Sequence, residues 1–245
     1  MVARSVVVTG GAGGIGRAIA TRFAADGARV LLTGRTEETV VRTARVLDAT
    51  QPGEVIGVVC DSTLPRDVAM LADEVGDSLD VLVNASGGLV VGETWDDPLE
   101  ELRGTWNAYV AQNVLGAVLT TAALRERLGP DGSVISLGSI GAERRGGAYG
   151  AAKAALAAWS AGLSAELGPS GVTANVVSPG YIAGTDFFQG AMTDARHELL
   201  VGETHDKRAG QPEDVAELVF FLASPGARHI TGQIIHINGG AFTTR

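Results

Sequence analysis

Tyr149 and Lys153 stand four residues apart in the stretch GAYGAAKAAL, where almost every neighbour is alanine or glycine. On a helix that spacing puts a phenol and an ammonium on one face. A free phenol titrates near pH ~10, so useful proton exchange near neutrality needs a drop of roughly 3 units, about 4 kcal/mol of preference for the phenolate. A neighbouring ammonium shifts it that way, and the small side chains leave room for a flat ring beside Tyr149. Two other polar residues belong with the pair. Ser139 ends the run SVISLGSIGA, and Asn113 sits mid-helix in AYVAQNVLGA, where an amide has no propensity reason to be.

A second constellation lies near the start of the chain. In TGGAGGIGRAIA, Gly10, Gly14 and Gly16, with Ile15 between the last two, occupy a tight turn and the first turn of a helix. Backbone N–H groups that a phosphate can approach without meeting a Cβ, at the positive end of a helix, make an anion site. The strand before and the helix after give that glycine pattern its weight as a dinucleotide motif. The second strand then ends LLTGRTEE, with Gly34 where an acid would accept from the ribose hydroxyls, followed by Arg35. A guanidinium beside a small neutral residue suits a 2′-phosphate, so NADP(H) is favoured over NAD(H), with Arg17 as a helper. Asp61, in CDST, is placed to accept from the adenine amino group. Asn84, in VLVNASGG, closes the fourth strand beside the cofactor.

These residues need a frame that brings strand ends together. Seven short β-branched runs, SVVVTG, ARVLLTG, EVIGVVC, DVLVNAS, GSVISLGS, GVTANVVS and GQIIHING, read as near-continuous apolar segments, the pattern of strands buried on both faces of a parallel sheet. Helical patterns lie between them over 15–25, 37–49, 65–75, 98–128, 148–167 and 212–222, with Pro65, Pro98 and Pro212 at helix starts. The alternation predicts a single-domain α/β fold over residues 1–245, a doubly wound sheet of about seven parallel strands flanked by helices. In such a sheet ligands lie at the carboxyl edge. The long segment 179–211, leaving that edge, is expected to cover the substrate.

Composition narrows the partners. With 45% hydrophobic and 19% charged residues the chain is globular. A formal net charge of -9 argues against nucleic acid and against a polybasic membrane contact. Cys60 is alone and ends an apolar run, so it reads as a buried small side chain. The four histidines are scattered, and no metal site is expected. No run is long enough for a membrane span, and the N-terminus lacks a signal-peptide pattern, so a cytoplasmic location is expected.

Taken in order and spacing, Thr9-Gly10 with Gly14-Ile15-Gly16, Asp61, Asn84, Asn113, Ser139, Tyr149, Lys153 and the SPGYIAGT stretch ending at Thr185 resemble the short-chain dehydrogenase/reductase family, classical type, over essentially the whole chain. The resemblance implies a Rossmann fold and an oxidoreductase moving a hydride between nicotinamide and a carbonyl or secondary alcohol. It implies Tyr149 as the proton donor or acceptor and Lys153 as the group that lowers its pKa and holds the nicotinamide ribose. It also implies Ser139 on the substrate oxygen and Asn113 holding a water in a proton relay. Pro179, Gly180, Ile182 and Thr185 would bind the nicotinamide end. A homotetramer or dimer through the long helices is implied as well.

Two features depart from the family pattern. Asn84-Ala85-Ser86-Gly87 replaces the common Asn-Asn-Ala-Gly, and the stretch SIGAERRGGAY is short and carries Glu143, Arg144 and Arg145. Candidate substrate residues are Ser86, Gly87, Trp95, Ile140, Tyr181, Phe187, Phe188 and Met192. A free small ketone or alcohol is preferred to a 3-oxoacyl thioester on a carrier protein, because an acidic chain repels an acidic carrier. The rival class is a non-catalytic NADP(H) sensor or scaffold on the same fold.

Overall fold

The computed structural model describes residues 3–90, 96–144 and 146–244. Seven strands, β1 (Ser5–Thr9), β2 (Arg29–Gly34), β3 (Val55–Val59), β4 (Leu79–Asn84), β5 (Leu128–Leu137), β6 (Thr173–Pro179) and β7 (Ile234–Ile237), form one parallel sheet in the order β3-β2-β1-β4-β5-β6-β7. Successive side chains of a strand face opposite ways. Val6 and Val8 of β1 therefore enter one core with α1 (Gly14–Ala25), α2 (Glu37–Thr50) and α9 (Pro212–Leu222), while Val7 enters another. That second core holds residues of α3 (Pro65–Val75), α5 (Gly116–Leu124) and α7 (Gly147–Leu167). Burial on both faces is the reason the strands lack polar alternation.

The expected helix over 98–128 is not continuous. It divides into α4 (Pro98–Val110), a π-helical turn at Ala111–Leu115, α5, and a 3₁₀ turn at Arg125–Arg127, and Leu128 already pairs with Leu79 as strand. Two short helices went unforeseen. α6 (Gly141–Arg144) fills the abbreviated stretch before Tyr149, and α8 (Asp194–Gly202) lies within 179–211. The base of that segment is closed by a bridge between Ile182 and Gly210, with Ala183 N donating to Gly210 O at 2.9 Å and Gly210 N to Tyr181 O at 3.0 Å.

Candidate active site

Strand order reverses between β1 and β4, and a crevice opens there at the carboxyl ends, as the topology requires. It forms a cavity of about 690 Å³ lined from Gly10 round to Gln189. Gly10 turns the chain at φ +66°, and a Cβ there would lie 3.0 Å from the backbone of Ala85 and Ser86. Thr9 Oγ1 accepts from the N–H groups of both Ala85 and Ser86, at 3.1 Å each, so the ends of β1 and β4 are tied together. At Gly16 a Cβ would sit 2.2 Å from Gly10 O, so only glycine lets α1 begin this close to the turn.

α1 is capped by Gly13, with no side-chain hydrogen bond and no acid in its first turn. Its first N–H groups thus face the cavity without a protein acceptor from the cap, where an anion is favoured. Beyond them lie Thr33, Gly34, Arg35, Thr36 and Thr39. Arg35 is exposed and makes no ion pair with a described residue. Asp61 Oδ1 is held by Thr63 N at 2.9 Å and Thr63 Oγ1 at 2.7 Å, which fixes the carboxylate at the cavity wall. This end fits a dinucleotide: the turn lines the cavity with Gly10, Gly13, Gly14 and Gly16, and at the end of β2 the wall carries the Arg35 guanidinium beside Gly34 in place of a carboxylate.

Ser139, Tyr149 and Lys153 line the opposite part of the same cavity, near Pro179, Gly180, Ile182 and Thr185. Gly141 N donates to Ser139 Oγ at 3.0 Å, which leaves the serine hydroxyl hydrogen free for another acceptor. A Cβ on Gly141 would come within 3.2 Å of both Ser139 Oγ and the Tyr149 ring, so glycine lets the short α6 pack closely against the pair. Lys153 is 4% exposed, and its Nζ donates to Leu137 O at 2.8 Å.

The electrostatics correct one expectation. Burial pushes the Tyr149 phenol up; the Ser139 hydroxyl partly offsets this, and the Tyr109 phenol adds to the rise. Lys153 is not among the groups that shift it. The ammonium lies 5.9 Å from the tyrosine ring centroid and is directed to the Leu137 carbonyl. Burial in turn pushes Lys153 down to about 8. Desolvation of the phenolate sets the direction of the Tyr149 shift.

Several sequence candidates fall elsewhere. Asn113 is buried and off the cavity wall. Its Oδ1 accepts from Gly88 N at 2.9 Å and its Nδ2 donates to Gly88 O at 3.1 Å and Tyr109 O at 3.2 Å. The amide pins the loop after β4. Asn84 also leaves the cofactor wall, being buried with Nδ2 donating to Thr121 Oγ1 at 3.0 Å. Ile140 does not line the cavity; its N–H bonds Pro179 O at 3.1 Å. Arg17 and Met192 are absent from the lining too. Trp95 and Arg145 lie outside the described residues. Ser86, Gly87, Tyr181, Phe187 and Phe188 line the cavity as expected. Sequence reasoning missed Gln112, Leu89, Gln189, Thr36 and Thr39 on the wall, and Tyr109 with its ring 6.2 Å from that of Tyr149. Only Tyr109 carried a signal, as a bulky residue one helical turn before the flagged Asn113.

A doubly wound sheet with a glycine cradle and a serine–tyrosine–lysine group in one cleft defines a dinucleotide-dependent oxidoreductase. The model of a family described as enoyl-(acyl carrier protein) reductase matches residues 10–242. The 3-oxoacyl-(acyl-carrier-protein) reductase FabG of Escherichia coli strain K12 is 33% identical, over 96% of this chain and 96% of its own. A short-chain dehydrogenase from Burkholderia cenocepacia, solved in complex with NADP, superposes with a TM-score of 0.84 at 35% identity, covering 97% of each chain. A blue fluorescent protein from a metagenomic library, solved with NADPH, gives a TM-score of 0.84 at 32% identity, covering 98% of each chain. The chain belongs to the short-chain dehydrogenase/reductase family, and it is an NAD(P)(H)-dependent oxidoreductase.

Proposed function

We propose that this enzyme interconverts a free small ketone and its secondary alcohol, with NADP(H) favoured over NAD(H). The observation that carries the reading is that Ser139, Tyr149 and Lys153 line the same cavity as the glycine turn. When bound, the reduced nicotinamide supplies a hydride to the carbonyl carbon, and its oxidised form takes one from the carbinol. Ser139 donates its free hydroxyl hydrogen to the substrate oxygen and holds it facing Tyr149. Tyr149 gives its proton to that oxygen as negative charge develops, or takes it in the reverse direction. Lys153 holds the nucleotide ribose while keeping its bond to the Leu137 carbonyl. Gly10, Gly14, Ile15 and Gly16 cradle the phosphates, Asp61 takes the adenine end, and Pro179, Gly180, Ile182 and Thr185 hold the nicotinamide end. Residues 179–211 form the cover: Gln189 Nε2 reaches Leu89 O at 3.2 Å, and Thr185 packs 3.7 Å from where a Gly14 Cβ would stand.

NADP(H) is supported by Arg35 and its hydroxyl neighbours, by the missing acid at Gly34, and by structural relatives solved with NADP or NADPH. The name of the FabG relative supports a second reading, a 3-oxoacyl thioester on a carrier protein. An acidic carrier needs a local basic patch to dock on, and the placement of the two arginines that could form one, Arg125 and Arg127, favours the free substrate. They immediately precede β5 at the amino edge of the sheet, away from the cavity, and Arg125 is paired with Glu126 and Glu166. The chain is a homo-oligomer in this reading. Leu99, Leu102, Trp106 and Val110 stand exposed along α4 at helical spacing, an apolar stripe that subunit contact would cover. No described helix is long and apolar enough to cross a membrane.

The test is Tyr149→Phe. Ketone reduction should fall by about 10²–10⁴-fold while NADPH binding, read by fluorescence titration, persists. Retention of full turnover would remove Tyr149 from the proton path.

A further inference from the structure

We infer that the substrate end of this cavity selects an uncharged ketone or alcohol with an aromatic ring beside the reacting carbon. The inference rests on the oxidoreductase reading above and names its substrate class.

Aromatic rings run in an unbroken series past Tyr149. Tyr149 meets Phe187 at 5.7 Å and 62°, Phe187 meets Phe188 at 5.0 Å and 87°, and Phe188 meets Tyr181 at 5.9 Å and 65°. All four line the cavity, and each contact is close to edge-on, the geometry that the ring quadrupole favours. Facing Phe187 is a strip without side chains. Gly87 and Gly88 take φ values of +135° and +139°, and a Cβ on Gly88 would lie 3.9 Å from Phe187 Cδ2. The bare backbone comes too close to Phe187 for a ring to pass between them, so it closes one end of an aromatic wall, along which a flat ring gains edge and face contacts that a branched or coiled chain does not.

Charge disfavours an anionic substrate. The charged residues in the described lining are Arg35, Asp61, Lys153 and Asp186. Arg35 and Asp61 belong to the nucleotide end, and Lys153 is bonded to Leu137 O. Asp186, adjacent to Phe187, is the one exposed charge on the covering segment's wall. The nearby Arg196 lies over the Phe188 ring, 4.8 Å from its centroid, and is not part of the lining. A substrate carboxylate would therefore leave water, find no open cation among the described lining residues, and meet Asp186.

The test compares NADPH consumption with acetophenone, 2-octanone of equal carbon number, 4-acetylbenzoate, and 2-butanone as a reporter of the reaction itself. Acetophenone should exceed both 2-octanone and 4-acetylbenzoate in kcat/KM by at least about tenfold. Phe187→Ala should lower acetophenone kcat/KM, mainly through KM, by at least about tenfold more than it lowers that of 2-butanone, with Phe187→Tyr restoring the preference. Equal or better use of 2-octanone overturns the aromatic selection, and equal use of 4-acetylbenzoate overturns the exclusion of charge. An equal loss for both ketones in Phe187→Ala overturns Phe187 as the selecting residue. Turnover of 2-butanone without preference for acetophenone sinks this inference alone. No NADPH consumption with any of the four sinks the free-ketone reading together with it.

Discussion

Lys153 holds its proton less firmly in the folded chain than in the unfolded one, because burial lowers it from 10.5 to about 8. Between those values the unfolded chain binds the extra proton, so folding stability should rise with pH across that window and carry a penalty below it. The full span amounts to about 3 kcal/mol. Tyr149 and Cys60 are both raised, Cys60 to about 11, and they act in the opposite sense at higher pH. The measurement is therefore a difference. Urea unfolding of the wild type and Lys153→Met between pH 7 and 10 should show the variant losing the upward slope; parallel profiles would mean the amine is not desolvated. Arg35 gives a second residue-scale prediction. Arg35→Ala should weaken NADPH binding by about 10–100-fold and leave NADH nearly unchanged, as losing one charge-assisted contact implies. Equal weakening of both would take Arg35 off the phosphate. The single substitution is cleaner than adding an acid at Gly34, where a Cβ would meet Val40 Cγ2 at 3.0 Å and Ala12 Cβ at 3.3 Å.

Among elements, the β1–α1 turn is the least forgiving. Gly16→Ala should cost about 1–3 kcal/mol of stability and more than about tenfold in affinity for either dinucleotide, since the methyl must displace the Gly10 carbonyl. Thermal melts and NADPH titration check both, and wild-type values would show that the turn yields. This turn was legible because glycine spacing and position after a strand encode it directly. The strands were legible for a similar reason, their apolar runs being local. The roles of Asn113 and Asn84 were not. An amide inside an apolar pattern announces a buried hydrogen bond but does not name the partner, and here the partners are Gly88 and Thr121, far along the chain. The relation of Lys153 to Tyr149 misled for another reason: spacing gave their common face, whereas the Leu137 carbonyl that draws the ammonium comes from β5. The helix end before Leu128 was overrun although Gly129 and Pro130 mark a stop.

At the scale of the molecule, the doubly wound order sets the crevice between β1 and β4 and leaves α4 with an apolar outer stripe. Leu99 and Leu102 are 75% and 54% exposed. Leu102→Glu with Trp106→Glu should move the protein toward single chains in sedimentation, with the far-ultraviolet spectrum unchanged. A wild type that already sediments as one chain would refute the oligomer. The whole-molecule pattern was readable because alternation of strand and helix admits few arrangements. The winding of the 98–127 region was not. Its π-helical turn inserts a phase step of about 100° relative to regular winding. The outer stripe, the Asn113 clasp on Gly88, and the seat of Gly116, where a Cβ would come 2.6 Å from Ser62 Oγ, all depend on that offset. Loss of a single residue between 111 and 115 would leave hydropathy almost untouched yet rotate one half of this rod against the other, so that surface, loop anchor and core seat could no longer be satisfied together.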